Sequence, residues 1–169
     1  MNQPLTTQQV SRKTGLSFGV CRDVIPQLTA HGLIRCLNEN ARRGRLYWLT
    51  KLGASCQSGF LEQLGKKPLE SYVSDLDWEL YGWVCFTHRS AIIKVLAEPM
   101  QPAKIKRKAC ARDPTLRMSA NNVRNVIRLF LAQAIVHPVR VRKKAHLRYE
   151  LTELGKRFQE LLWRVEAFA

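Results

Sequence analysis

The chain has 169 residues, which is room for one ordinary domain or two small ones. Its residues are 46% hydrophobic, enough to fill packed cores and too many for a disordered chain. The formal net charge is +15, from 28 basic and 13 acidic residues. Charge of this size and sign favours a polyanionic partner, of which nucleic acid is the commonest.

The charge is unevenly distributed along the chain. Residues 1–70 carry ten basic and four acidic side chains, residues 71–100 carry two and four, and residues 101–169 carry sixteen and five. The five cysteines form no CxxC pair, which argues against a disulfide framework or a structural zinc site. With no signal peptide and no apolar stretch of about 18 residues, we expect an intracellular, cytoplasmic protein without a membrane partner.

Caps, periodicity and turn residues predict the elements of the first half. Gly15 suits the end of a short first helix, and Ser17 suits the cap of a second one. In that second helix the residues at 20, 21, 24, 25 and 28 are apolar and form the expected buried face. The predicted elements are helices within 6–15, 16–34, 50–64 and 77–86, and a hairpin over 35–50.

The second half repeats this order and adds a helix in front of it. Ser119 is the candidate cap of the long helix, and Pro99 should end the added one. The predicted elements are helices within 86–99, 100–109, 118–136 and 152–166, and a hairpin over 136–152.

Two stretches of the chain are nearly the same. Residues 45–53 read RLYWLTKLG and residues 147–155 read LRYELTELG. An aromatic residue, Leu-Thr and a glycine keep their spacing, and an internal repeat of this kind indicates a duplicated unit. The flanking pairs also keep their order, and they are Val10/Ile105, Arg12-Lys13/Arg107-Lys108, Leu28/Leu129 and Gly53/Gly155.

The order of helix, turn, helix and hairpin, followed by Y-x-L-T-x-x-G into a closing helix, resembles the MarR- and ArsR-like transcription regulators. The resemblance covers about 5–64 and 86–166. It implies a mainly α fold with small β-hairpin wings, built as two winged helix-turn-helix domains in tandem. The expected domains are 1–64, with a truncated first helix, and 77–169, joined by a linker over 65–76. A segment from the middle of the chain or from a second chain should cover the core of the first domain.

A DNA-reading helix is expected over 119–133. One of its faces is apolar, and the opposite face presents asparagine and arginine, which suit bidentate contacts to adenine and guanine in the major groove. In the first copy, Asp23 and Pro26 weaken the equivalent surface, so the second copy is expected to read sequence. The base-reading candidates are Asn121, Asn122, Arg124, Asn125, Arg128 and, in the first copy, Arg22.

Basic residues of the predicted wings and of the preceding helices are expected to contact the DNA backbone. Such contacts position a protein on the duplex without specifying sequence. Five of the nine residues from 140 to 148 are Lys or Arg, and none is acidic. The candidates are Arg12, Lys13, Arg42, Arg43, Arg45, Lys104, Lys106, Arg107, Lys108, Ser119, Arg140, Arg142, Lys143 and Lys144.

We find no catalytic motif, no cofactor signature and no complete set of metal ligands in the sequence. Cys85 and His88 are a close pair, but one pair is at most half a metal site, and an ordinary helix explains both better. The aromatic residues at 78, 81, 83 and 86 are expected in a core or in a seam between domains rather than in an effector pocket.

The sequence therefore predicts a double-stranded DNA-binding transcription regulator, and an enzyme is the least favoured class. It acts either as a monomer whose two copies imitate a dimer, or as a homodimer through the C-terminal helix 152–166, which has a long apolar face. The alternatives are a replication initiator, a nonspecific architectural DNA-binding protein, an RNA-binding protein and a protein-interaction module with two winged helices.

Overall fold

The computed structural model of the protein describes residues 3–67, 75–140 and 146–167. Over these ranges the protein is mainly helical and has small antiparallel sheets, which confirms the predicted fold class at this level. The chain divides into two compact units. The first unit ends at Trp83, and the second spans Val84–Glu166.

The first unit combines helices with a three-stranded sheet. Its strands are antiparallel and lie in the order β1-β3-β2, so the N-terminal strand pairs with the second strand of the hairpin. Its elements are β1 (Leu5–Thr6), α1 (Thr7–Thr14), α2 (Phe18–Ala30), β2 (Ile34–Cys36), β3 (Leu46–Leu49), α3 (Lys51–Gln63) and α4 (Trp78–Val84), which ends at the unit boundary.

The second unit has the same order of elements after one additional helix. Met100 pairs with Tyr149 through two backbone hydrogen bonds of 2.9 Å, as Leu5 pairs with Tyr47 in the first unit. Its elements are α5 (Thr87–Val95), α6 (Pro102–Arg112), α7 (Ala120–Ala132), β4 (Val136–Val139), β5 (Arg148–Leu151) and α8 (Glu153–Ala167).

The predicted caps at Ser17, Ser119 and Gly15 are confirmed, whereas α5 ends at Val95, four residues before Pro99, which was expected to end it. Ser17 Oγ accepts the Val20 N–H at 3.3 Å, and Ser119 Oγ accepts the Asn122 N–H at 3.1 Å. Each serine thereby satisfies one N–H that has no partner inside its helix. Gly15 ends α1 in the left-handed conformation, with φ of 70°, which costs glycine little.

The threonine of the repeated Leu-Thr motif caps the closing helix and ties it to the start of the hairpin. Thr50 Oγ1 accepts the Gly53 N–H at 3.1 Å and donates to the Gly32 carbonyl at 2.5 Å, with the Leu33 carbonyl at 3.3 Å. Thr152 Oγ1 accepts the Gly155 N–H at 3.2 Å and donates to the Ala134 carbonyl at 2.7 Å, with the Ile135 carbonyl at 3.1 Å. The repeat therefore preserves one hydrogen-bonded corner in both units.

The glycine of the same motif permits a close approach between backbones. A Cβ on Gly53 would overlap the Leu33 carbonyl oxygen, and a Cβ on Gly155 would overlap the Ile135 carbonyl oxygen. Only a residue without Cβ fits at either position. The physical requirement for Thr-x-x-Gly explains why this motif occurs in both units.

The structure corrects one of the predicted residue pairs. Ser17 and Ser119 are 102 positions apart in the chain, and so are Thr50 and Thr152. The same spacing pairs Leu28 with Phe130, not with Leu129, which is 44% exposed. Leu129 differs because it precedes Phe130 by one residue and therefore lies on the solvent side of α7.

α4 packs within the first unit, whereas the expected domain boundary placed residues 77–169 together. The Trp78 ring lies edge-on to Trp48 of β3 and to Tyr81, with centroid distances of 5.8 and 6.0 Å. Gly82 packs closely against the hairpin. A Cβ at this position would lie 2.3 Å from the Asn38 amide nitrogen and 2.9 Å from the Gly44 carbonyl oxygen. A middle segment of the chain therefore covers the hairpin of the first unit, and Trp78 and Tyr81 belong to its packing.

Two residues of the expected apolar face of α2 are not buried. Cys21 and Ile25 are buried, but Val20 and Val24 are 45% and 38% exposed. The periodicity identified the correct helix and overestimated the width of its buried face, because the first unit has fewer elements to pack against it.

Candidate nucleic-acid interface

α7 has one buried apolar face and one exposed polar face. The buried residues are Val123, Val126, Ile127 and Phe130. The exposed residues are Asn121, Asn122, Arg124, Asn125 and Arg128. This division confirms the predicted orientation of the helix and leaves every base-reading candidate of α7 accessible.

Four of these exposed residues form a continuous stripe, which we call the α7 stripe, at positions 121, 124, 125 and 128. Arg124 Nη1 donates to Asn121 Oδ1 at 3.1 Å, which aligns the two side chains and uses only the amide oxygen of Asn121. α7 contains no acidic residue. The α7 stripe can therefore offer several hydrogen-bond donors and two positive charges to an anionic surface without internal neutralisation.

α6 carries the basic run that was expected to contact backbone phosphates. Arg107 is exposed, and Lys106 is half-buried. Lys104 and Lys108 instead bind the Glu98 carboxylate, with N–O distances of 2.8 and 3.3 Å. Hydrogen bonds from Lys104 and then from Lys108 lower the pKa of Glu98. Part of the positive charge of α6 is thus offset by a carboxylate that the sequence pattern did not connect to it.

The predicted wing of the second unit is the hairpin formed by β4 and β5. The strands pair in register from Val136 opposite Leu151 to Val139 opposite Arg148. Arg140 is exposed where β4 ends. Three further wing candidates, Arg142, Lys143 and Lys144, lie outside the described residues.

The basic candidates of the first unit are mostly exposed. Arg12 is exposed, whereas Lys13 is half-buried and burial lowers its pKa. The hairpin candidates Arg42, Arg43 and Arg45 are exposed, and the Arg45 Nε–H donates to the Ala41 carbonyl at 3.0 Å. The three hairpin arginines form a second basic surface in the first unit.

The candidate reading positions of the first unit have a different chemistry from the α7 stripe. The equivalent residues, 102 positions earlier, are Gly19, Arg22, Asp23 and Pro26. Arg22 Nε lies 3.4 Å from Asp23 Oδ1, and both side chains are well exposed. The one positive charge at this surface is therefore accompanied by a negative one.

Neither a family model, nor a curated protein, nor a solved structure matches the chain significantly. The assignment of the site therefore depends on its own residues. None of the helices that the structure describes is long and apolar enough to cross a bilayer.

Two basic residues near α7 were not among the candidates. Arg117 is exposed in the turn before the Ser119 cap, and its carbonyl oxygen lies 3.0 Å from His88 Nε2, which anchors that turn to α5. Arg148 is exposed at the start of β5. In the sequence Arg117 could be recognised only as a basic residue near the Ser119 cap, and Arg148 only as one beside the predicted wing. Whether either residue is exposed depends on the fold.

Cys85 and His88 show no arrangement typical of a metal site. Among the described residues no three His, Cys, Asp or Glu side chains cluster as metal ligands would. His88 is engaged with the Arg117 carbonyl. Phe86, which stands near this pair, is 37% exposed and carries the Arg89 guanidinium 5.1 Å from its ring centre.

A cavity of about 610 Å³ lies in the second unit between the end of α5, the hairpin and the start of α8. Its walls carry three carboxylates, and each has a cationic or imidazole partner. His137 Nε2 lies 2.7 Å from Glu150, and Lys156 Nζ lies 2.6 Å from Glu153. Glu98, the third, holds the two lysines of α6. Each carboxylate of the cavity thus has a hydrogen-bonding or ion-pair partner within the unit.

The apolar face of α8 is already used inside the second unit. Its buried residues are Phe158, Leu161, Leu162 and Val165. Gln159 Nε2 donates to the Ile93 carbonyl at 2.6 Å, and Glu166 binds Lys94 and Arg112. These bonds hold α8 against α5 and α6. A homodimer through helix 152–166 stays a prediction, and it would have to use the exposed side of the helix.

Proposed function

We propose that the protein binds double-stranded DNA and regulates transcription, and that each unit is a winged helix-turn-helix. In this proposal α7 enters the major groove, α6 lies over the backbone and the β4–β5 hairpin follows the duplex. The observation that carries the proposal is the exposed, acid-free α7 stripe. Arginine and asparagine are the side chains that discriminate guanine and adenine in the major groove.

The charge distribution supports a polyanionic ligand on the same unit. Residues 101–169 hold sixteen of the 28 basic residues and five of the 13 acidic ones. A cationic surface binds DNA of any sequence and makes the binding strongly dependent on salt. Sequence preference is then expected from α7, and nonspecific affinity from α6 and the hairpin.

The test is fluorescence anisotropy with random duplex and with the DNA around the protein's own gene, across a salt series. Arg124→Ala should cost about 1–3 kcal/mol of sequence discrimination while nonspecific binding persists. Arg157→Ala, which removes an exposed charge from α8, is the matched control and should keep the preference. Equal discrimination by all three proteins would contradict the role of α7, and no binding at low salt would contradict DNA binding itself.

Arg22 stands at the position of the first unit that is equivalent to Arg124. Because Asp23 accompanies it, Arg22→Ala should change discrimination much less than Arg124→Ala does. A comparable loss would show that both units read sequence.

A further inference from the structure

The hairpin of the first unit is organised around one buried amide, the side chain of Asn38. This residue follows β2 and is 1% exposed. Its Oδ1 accepts the Leu46 N–H at 2.7 Å, and its Nδ2 donates to the Gly44 carbonyl at 3.1 Å. Its backbone carbonyl accepts the Ala41 N–H at 3.1 Å. Asn38 therefore ties the start of the hairpin loop to the end of the loop.

These bonds are enclosed and costly to lose. Gly82 of α4 approaches Asn38 so closely that a Cβ there would overlap the Asn38 amide nitrogen. Leu46 is 0% exposed. If residue 38 were apolar, the Leu46 N–H would lose its partner, and an unsatisfied buried N–H costs more than a hydrogen bond contributes. The shape of the loop thus depends on Asn38 and on the helix that covers it.

The loop over residues 39–45, which we call the arginine loop, carries three arginines and one glutamate. Arg42, Arg43 and Arg45 are exposed, and so is Glu39. The Arg45 Nε–H donates to the Ala41 carbonyl at 3.0 Å, a bond that does not use the terminal Nη groups. The arginine loop therefore presents three guanidinium groups from a backbone that is held at several points.

The second unit does not repeat the buried amide. The position equivalent to Asn38, 102 residues later, is Arg140, which is exposed. β4 and β5 nevertheless pair in register from Val136 opposite Leu151 to Val139 opposite Arg148. A hairpin of this kind forms without a buried asparagine, so the role of Asn38 goes beyond holding two strands together.

We propose that Asn38 is a positioning residue for nucleic-acid binding, and that it holds the arginine loop in the shape that binds backbone phosphates. The proposal rests on the proposed function, because its ligand is double-stranded DNA. Guanidinium groups bind phosphate oxygens through paired donors, so their affinity depends on where they are placed. A loop that is fixed before binding also loses less conformational entropy on binding.

This role differs from that of α7. Phosphate contacts carry no sequence information, so the arginine loop should add the same affinity to every duplex. The candidate reading positions of the first unit, with Asp23 beside Arg22, fit such a division. The first unit then anchors the protein on the backbone, and the second unit supplies the sequence preference.

The test is fluorescence anisotropy of the full chain with a random-sequence duplex across a salt series. Replacing Arg42, Arg43 and Arg45 together by alanine should lower the slope of log affinity against log salt by about 2–3, because each phosphate contact contributes about 0.9. Asn38→Ala keeps every charge, yet it should weaken binding about 10-fold and lower the slope by about 1–2. Asn40→Ala, at an exposed asparagine of the same loop, is the matched control and should bind as the wild type does.

A combined variant separates positioning from stability. In the chain that lacks the three arginines, Asn38→Ala should change the affinity by less than about twofold, because no charge is left to position. Gly82→Ala presses on Asn38 from α4 and leaves the loop sequence intact, so it should reproduce the loss seen with Asn38→Ala. Circular dichroism at the assay temperature checks that each variant keeps the wild-type spectrum.

The outcomes distinguish this proposal from the proposed function. Wild-type affinity and slope in Asn38→Ala, or an equal loss with and without the arginines, would overturn the positioning role and leave DNA binding standing. A change of sequence preference in Asn38→Ala, with the affinity for random duplex kept, would also overturn it. No duplex binding by the wild type at low salt would overturn both proposals.

Discussion

Replacing Gly53 by alanine tests the physical reason for the repeated motif. A Cβ at this position would stand well inside contact distance of the Leu33 carbonyl oxygen, which is backbone and cannot rotate away. That oxygen also accepts the Thr50 N–H at 3.0 Å, and the Thr50 hydroxyl donates to the neighbouring Gly32 carbonyl at 2.5 Å. α3 could make room for the methyl group only by moving away and weakening both bonds.

The expected change in the free energy of unfolding is the sum of overpacking, weakened hydrogen bonds and helix propensity. Overpacking costs about 1–3 kcal/mol, and each weakened hydrogen bond costs about 1 kcal/mol. The better helix propensity of alanine returns about 1 kcal/mol. Gly53→Ala should therefore lower the free energy of unfolding of the first unit by about 2 kcal/mol or more.

Gly59 provides a matched control in the same helix. A Cβ built there meets nothing within 4 Å, so Gly59→Ala should raise the free energy of unfolding by about 0.5–1 kcal/mol. Urea unfolding followed by tryptophan fluorescence reports mainly on the first unit, since three of the four tryptophans, at 48, 78 and 83, belong to it. Equal unfolding midpoints for the two variants would refute the close-approach argument.

Two further predictions concern the closing helices. Thr50→Val and Thr152→Val each remove a helix cap and should each lower the free energy of unfolding by about 1 kcal/mol. Serine at either position should restore most of this loss. Thermal unfolding followed by circular dichroism measures both effects, and a valine variant as stable as the wild type would contradict the capping role. Burial would raise the pKa of Glu166, but the hydrogen bonds from Lys94 and Arg112 outweigh it, and the pKa is lowered from its ordinary 4.5. The carboxylate therefore stabilises the second unit above that pH and less as the pH falls through its folded pKa, so Glu166→Gln should cost about 1 kcal/mol at about pH 7 and progressively less as the pH falls below 4.5. A pH-independent cost in urea unfolding would contradict the ion-pair explanation.

The local signals in the sequence predicted the elements well. Serine caps, a left-handed glycine and the repeated Thr-x-x-Gly determine where helices begin and end, because each acts on backbone groups a few residues away. For this reason the eight helices and the two hairpins that the structure describes lie within a few residues of their predicted places. The polar and apolar faces of α7 were equally predictable, since they follow from helical periodicity.

The tertiary structure decided what each face meets. The pattern of α2 counted Val20 and Val24 as core, but a residue is buried only if another element covers it, and among the described residues of the first unit no helix takes the place of α5. Glu98 reaches Lys104 and Lys108 only because the turn before α6 brings them together.

The same reasoning applies to the closing helices. α8 and α3 share the repeated motif at their starts, and the sequence determined that both are helices capped by threonine. Only the fold showed that the apolar face of α8 is buried while Leu52, Phe60 and Leu64, on α3 and just beyond it, are exposed. Local hydrogen bonding determines where a helix forms, but burial depends on all the elements around it, and among the described residues only the second unit has a helix at the position of α5.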